Sequence, residues 1–221
     1  MNVIITGATG MVGKGVLLEC LDHPSVDNIL VIGRNRIDVE HPKLKELIHL
    51  DFTDFSGIKE QLTNYDACFF CMGISSAGMK EDEYKHITYD YTLSLAKTLV
   101  LNNPAMTFNY VSGGGTDSTE KGKVMWARVK GKTENDLLKL GFNQAFMFRP
   151  NAIIPLRGIK SKTKLYQFMY DYFMWMIKLM KVISPNSVVN TTQLGIAMIN
   201  TALKGYKKSI IDPVDIIEPS K

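Results

Sequence analysis

The sequence predicts an α/β protein, a doubly wound parallel sheet with a small helical cap in its C-terminal part. Three observations predict it. Short apolar runs alternate with longer helical segments as far as Arg149, and strands spaced by helices of that length pair in parallel, with helices on both faces. A glycine-rich turn joins the first apolar run to the first helix. The chain has 221 residues, 45% of them hydrophobic and 22% charged, which suits one domain with a core of its own and excludes a disordered chain. The expected organisation is a single domain over 1–221, with 156–205 forming the cap.

Val3–Thr6 reads as the first strand and Met11–Asp22 as the first helix. Asn28–Ile32 and Leu47–Asp51 follow as strands, then a short helix near Gly57–Thr63 and a fourth strand, Ala67–Met72. From about Asp82 to Asn102, Ile87, Tyr91, Leu95 and Leu99 recur every four residues, the spacing of one buried helical stripe. Thr107–Ser112 is a strand, Lys123–Leu140 a helix and Gln144–Arg149 a sixth strand. After Pro150 the alternation stops. Leu165–Ile183 carries only four strongly polar side chains, Gln167, Asp171, Lys178 and Lys181, and at 100° per residue they gather on one narrow face. Its wide apolar surface is open to three readings: packing over the sheet and substrate pocket, a homodimer face, or a peripheral membrane contact preceded by Arg157, Lys160, Lys162 and Lys164. A helix near Thr191–Lys204 and an extended tail, Ser209–Ile217, complete the pattern.

The formal charge of +4 is too small to argue for nucleic acid. Eleven basic residues between Lys121 and Lys164, against Glu134 and Asp136 alone, read either as a field for an anionic ligand or as a solvated face. Cys68 and Cys71 match C-x-x-C, but positions three apart on a strand point to opposite faces, so they read as core. The four histidines lack ligand spacing, and no metal site is expected. An odd cysteine count suits a reducing compartment. Met1–Thr6 has neither a basic leader nor a long apolar region. The expected location is cytoplasmic.

The richest segment is Thr6-Gly7-Ala8-Thr9-Gly10-Met11-Val12-Gly13. Between a strand and a helix, its glycines serve a tight turn (Gly7), close approach of a pyrophosphate (Gly10) and helix–sheet packing (Gly13), while the helix N-terminus offers free N–H groups to phosphates. Thr9, Met11 and Val12 complete this cofactor loop. The second strand runs into Gly33-Arg34. The position where an NAD-preferring domain places a carboxylate is empty of one, and a guanidinium pairs well with a 2′-phosphate. The expected cofactor is therefore NADP(H), with Arg36 as an assistant. Asp51 and Phe52 end the third strand, where an adenine would lie, and Cys71, Met72 and Gly73 end the fourth, beside the cofactor's ribose.

These residues, with Ser112, Lys130-Gly131 and Arg149-Pro150, resemble an atypical short-chain dehydrogenase/reductase over about residues 1–155. The resemblance extends to Tat-interacting-protein-like oxidoreductases and to bacterial proteins labelled nucleoside-diphosphate-sugar epimerases. It implies an NADP-binding Rossmann fold with the nicotinamide near Ser112, Lys130 and Pro150, in which a serine and a Tyr-x-x-x-Lys motif move a proton while the cofactor moves a hydride. Here that stretch is Trp126-Ala127-Arg128-Val129-Lys130. The lysine is present, but an indole has no acid–base equilibrium near neutral pH, which leaves Tyr89, Tyr91 and Tyr110 as candidate phenols. Gly113-Gly114-Gly115 after Ser112 reads as either a lid or a connection. Two functional classes follow: an oxidoreductase or epimerase-like enzyme for a small carbonyl or hydroxyl compound, with Ser112 and Lys130 as its catalytic residues, Ser112 orienting the substrate oxygen and Lys130 also binding the cofactor by positioning its ribose and assisting electrostatically, or a non-catalytic NADP(H)-responsive binding protein.

Overall fold

The computed structural model describes residues 1–159, 188–218 and 220. The Leu165–Ile183 segment, and with it the dimer and membrane readings, lies outside the described residues. Seven strands form one sheet in the order β3-β2-β1-β4-β5-β6-β9, every pair parallel. They are β1 (Asn2–Thr6), β2 (Asn28–Gly33), β3 (Leu44–Ile48), β4 (Ala67–Phe70), β5 (Thr107–Val111), β6 (Gln144–Phe148) and β9 (Ile210–Ile211). The reversal of strand order between β1 and β4 is the switch point at which open α/β sheets bind ligands.

Alternation along the strands builds two cores. Val3 and Ile5 of β1 face a layer holding α1 (Met11–Asp22) and α5 (Thr191–Lys204), with Val16, Leu17, Leu194 and Met198 fully buried. Ile4, Cys68 and Phe108 face the opposite layer, which holds α3 (Tyr91–Asn102) and α4 (Met125–Leu138). Cys68 therefore sits in one core while Cys71 packs against the other, as the strand geometry requires. The helix expected near Thr191–Lys204 is present as α5 and packs on the flank of the sheet. α5 lies directly on α1, where a methyl group on Gly15 would come within 2.6 Å of Thr191 Cβ and one on Gly195 within 2.7 Å of Glu19 Cγ. Asn109 of β5 fastens this layer by donating to the Met198 carbonyl at 2.9 Å and to Thr201 Oγ1 at 3.0 Å. A reciprocal cap starts α5: Asn190 Oδ1 accepts from Gln193 N–H, and Gln193 Oε1 accepts from Asn190 N–H.

Four local departures from the expected elements have physical causes. β3 begins three residues earlier than expected, because its register is set by pairing Leu44 with Ile29 through Ile48 with Gly33. As an edge strand it buries only Leu44 and Leu47 in part, and Leu50 stays exposed. The helix after residue 80 is not continuous: α2 (Glu81–Lys85) passes through a π turn at His86–Asp90 before α3. The Tyr91 N–H reaches back to the His86 carbonyl, and the added residue shifts the buried stripe to Tyr84, Thr88, Thr92, Leu95 and Leu99. Beyond Pro150, β7 (Ala152–Ile154) pairs in parallel with β8 (Val188–Asn190), two three-residue strands too short to show a period. Finally, the tail is not extended throughout. β9 adds to the sheet edge, and α6 (Pro213–Ile217) follows, started by Asp212 at its N-cap and Pro213 at its first position.

Candidate functional site

The carboxyl ends of β1, β2, β4 and β5 open into one cleft of about 700 Å³. Its floor is the β1–α1 turn. Gly7 holds a φ of +71°, and a Cβ there would fall 2.6 Å from the Cys71 carbonyl oxygen. At Gly13 a Cβ would stand 2.2 Å from the Gly7 carbonyl oxygen, so the helix is seated on the turn through a glycine. Gly10 N–H donates to the Gly7 carbonyl at 2.8 Å. The first intrahelical donor is Lys14, to the Gly10 carbonyl, which leaves the N–H groups of the first turn without helical partners. Gly10 gives no side-chain cap, and the first turn carries no acidic residue. A dinucleotide pyrophosphate fits this cradle, since the backbone supplies donors, the dipole favours an anion and no side chain blocks the approach.

Gly7, Thr9, Gly10, Met11, Val12, Arg34, Phe52, Cys71, Met72, Gly73, Ser112, Lys130 and Pro150 all line the cleft. Two expected residues do not. Gly13 lies behind the turn and acts through packing. Asp51 is exposed, and its carboxylate is turned into a local loop, accepting from Thr53 N–H at 2.8 Å and Thr53 Oγ1, which holds its pKa below the usual value. Phe52 remains, fully buried and packed edge-on to Phe55. Arg34 is exposed at the end of β2. Arg36 is outside the cleft lining. Asn151 and Ile153, which the sequence did not single out, line it as well. Their place follows from β7 turning back beside the β5–α4 loop, where Gly114 N–H donates to the Pro150 carbonyl at 2.8 Å.

The Ser112 end has a different chemistry from the one its serine suggested. The buried Ser112 hydroxyl faces two acceptors, Glu134 Oε1 and the Phe148 carbonyl. Glu134 is itself fully buried and receives Arg149 Nε at 3.1 Å on each oxygen, plus Arg149 Nη2. In this arrangement the one proton of Ser112 is engaged inward, toward Glu134 or the Phe148 carbonyl. Glu134 was visible in the sequence as one of two acids in a basic stretch, four residues beyond Lys130. Lys130 donates to the Ser112 carbonyl, and burial pushes its pKa down to about 8 against the attraction of Glu134. Burial raises the Cys71 thiol far above its ordinary range.

The candidate phenols lie elsewhere. Tyr110 is buried among Phe70 and its neighbours in the sheet core. Tyr89 donates to Asp136 at 2.8 Å in a separate small groove, and Tyr91 packs against Phe52 and His86. None of them lines the cleft, and neither does Trp126. Within the described part of the basic stretch, Arg128 pairs with Glu81, Lys132 and Lys139 with Asp136, Arg149 with Glu134, and Arg157 with Glu19 and Asp22.

Sheet order, turn and cleft together define a Rossmann-type nucleotide-binding protein of the short-chain dehydrogenase/reductase kind. Residues 3–119 match the model of the NAD dependent epimerase/dehydratase family. That match spans more than half the chain, and the chain belongs to this family, which uses a nicotinamide dinucleotide. It is 27% identical to Protein FMP52, mitochondrial, of Candida albicans over 98% of this chain and 94% of that one. Protein HTATIP2 of Rattus norvegicus is 26% identical over 69% of this chain and 63% of its own length. Among solved structures, a UDP-N-acetylglucosamine 4-epimerase from Methanobrevibacter ruminantium superposes with a TM-score of 0.70 at 16% identity, covering 96% of this chain and 75% of that one. The Bordetella bronchiseptica enzyme WbmF in complex with NAD+ gives 0.70 at 16% identity, covering 98% and 76%. At such identities these structures speak to the fold.

The relatives correct one expectation. Fungal proteins matched from Candida, Aspergillus, Emericella and Meyerozyma carry the word mitochondrial in their names, against the expected cytoplasmic location. Cysteine usage separates oxidising from reducing surroundings but not one reducing compartment from another. Among the described residues, no helix is long and apolar enough to cross a membrane.

Proposed function

We propose that this protein is an NADP(H)-dependent oxidoreductase for a small carbonyl or hydroxyl compound. The observation that carries the reading is the single cleft, with the glycine turn as its floor, Arg34 on the β2 side and Lys130 on the β5 side. A pyrophosphate on the α1 N-terminus directs the adenosine toward β2 and the nicotinamide toward β5. Gly33 leaves no carboxylate to repel a 2′-phosphate, and Arg34 has no ion-pair partner among the described residues, so its guanidinium is available for that phosphate. Phe52 offers an apolar wall to the adenine. Bound NADPH would supply a hydride at the Ser112–Lys130 end.

The test is a calorimetric titration of the purified protein with NADPH and, separately, NADH. Tight NADPH binding with weak NADH binding supports the reading. Equal affinities would remove the phosphate assignment, and binding of neither would remove the cofactor reading altogether.

A further inference from the structure

From the geometry of the cleft we infer that Lys130 itself exchanges the proton with the substrate oxygen, taking the place of the phenol that Trp126 replaces. This inference rests on the oxidoreductase reading above. Among the described residues that line the cleft, the ionisable side chains are Arg34, Cys71 and Lys130. Arg34 stands at β2, and β1 and β4 separate it from the Ser112 end. The Cys71 thiol is held neutral by burial. Ser112 spends its one proton on Glu134 or Phe148. Lys130 is different in kind. An ammonium has three protons, and the described contacts use one of them, on the Ser112 carbonyl. That bond anchors Nζ at the end of β5 and leaves two N–H groups for the cleft.

The groups around Lys130 suit a proton exchanger. Glu134, one turn along the same helix, favours the ammonium, but Arg149, just past the end of β6, neutralises that carboxylate. Desolvation therefore dominates, and Lys130 loses its proton at about pH 8, close to the operating range of a general acid. In reduction, a bound dihydronicotinamide would supply a hydride to the substrate carbonyl carbon, and the C=O π pair would move to oxygen. That oxygen takes a proton from Nζ, and the neutral amine is reprotonated by solvent. Oxidation of an alcohol runs the same exchange backward, with the amine accepting the hydroxyl proton.

The experiment combines three measurements on the full chain. NADPH titration of the wild-type protein comes first, because failure to bind removes the oxidoreductase reading beneath the inference. Lysine side-chain NMR without cofactor comes second. One resonance, absent from Lys130→Arg, should titrate near pH 8, and titration of every lysine near its ordinary value of about 10.4 overturns the inference. Third is NADPH oxidation against a panel of aldehydes, ketones and quinones. Lys130→Arg keeps a cation and a donor for the Ser112 carbonyl but cannot release a proton near neutral pH. Its turnover at saturating NADPH should fall about 100-fold or more. Wild-type reduction should decline as pH rises through about 8. Turnover of Lys130→Arg within fivefold of wild type overturns the inference, as does a wild-type protein that binds NADPH but reduces nothing in the panel. Should the variant fail to fold, a wild-type lysine resonance titrating near pH 8 and the matching pH limb of turnover still decide it.

Discussion

Glu134→Gln should destabilise this protein by about 3–5 kcal/mol, the usual cost of breaking a buried ion pair from one side. The carboxylate is fully buried, and the Arg149 side chain is only 14% exposed. Its two oxygens receive Ser112 Oγ, Arg149 Nε and Arg149 Nη2. Glutamine preserves the shape but turns one acceptor into an NH₂ group, and because Arg149 Nε reaches both oxygens, a donor meets the guanidinium in either orientation. It also leaves the Arg149 cation without its counter-charge. Solvent reaches that cation too little to replace the lost bonds, its remaining side-chain hydrogen bond, to Ser118 Oγ, is neutral, and Asp212 and Asp117 attract it only through space. A chain of this length shifts its melting temperature by about 2–4 °C per kcal/mol, so a drop of about 6–20 °C is expected. Urea unfolding monitored by circular dichroism should show a lower midpoint with an unchanged slope. Replacing both partners, as Glu134→Leu with Arg149→Met, should recover most of the loss, because no charge is then stranded. A loss below about 1 kcal/mol for Glu134→Gln would place the pair with solvent-screened surface bridges and refute the argument.

Three further outcomes are expected. Arg34→Ala should weaken NADPH binding about 10- to 100-fold, the worth of a charge-assisted hydrogen-bond pair, while NADH changes little; calorimetry with both cofactors checks it, and equal losses would count against the 2′-phosphate contact. Gly13→Ala places a methyl group 2.2 Å from the Gly7 carbonyl oxygen, so the helix must move off the turn, at a cost of about 3 kcal/mol and with loss of cofactor binding, both measurable by melting with and without NADPH. Lys130→Met tests the linkage of its titration to stability. The folded chain lowers the Lys130 pKa from 10.5 to about 8, so between those values the unfolded state binds more protons and wild-type stability rises with pH. Below about pH 8 the full cost of burying the ammonium is present, and the variant should be the more stable by about 2 kcal/mol once the lost bond to the Ser112 carbonyl is counted. That difference should shrink as pH climbs toward 10, and a pH-independent difference would contradict the assignment.

What the sequence determined by itself was whatever a few neighbouring residues can encode. Gly7, Gly10 and Gly13 are contiguous with the strand and helix they join, so spacing alone located the cradle and, through Gly33-Arg34, the end of β2. The central strands were legible for the same reason: buried on both faces, they read as mainly apolar runs, interrupted in β5 by Thr107 and Asn109. β3 was misplaced by three residues because an edge strand has one neighbour and little buried surface to register its position. The π turn at His86–Asp90 adds a residue that no periodicity rule anticipates. Ser112, Lys130, Glu134 and Arg149 were each visible, but their bonding was not. They come from β5, α4 and the end of β6, and whether the serine proton faces a ligand or a buried carboxylate depends on where these elements meet. That meeting is decided by long-range packing: burying Arg149 and Glu134 away from water obliges every donor nearby to find an acceptor, and the Ser112 hydroxyl is drawn into that demand, leaving Lys130 with protons free to face the cleft.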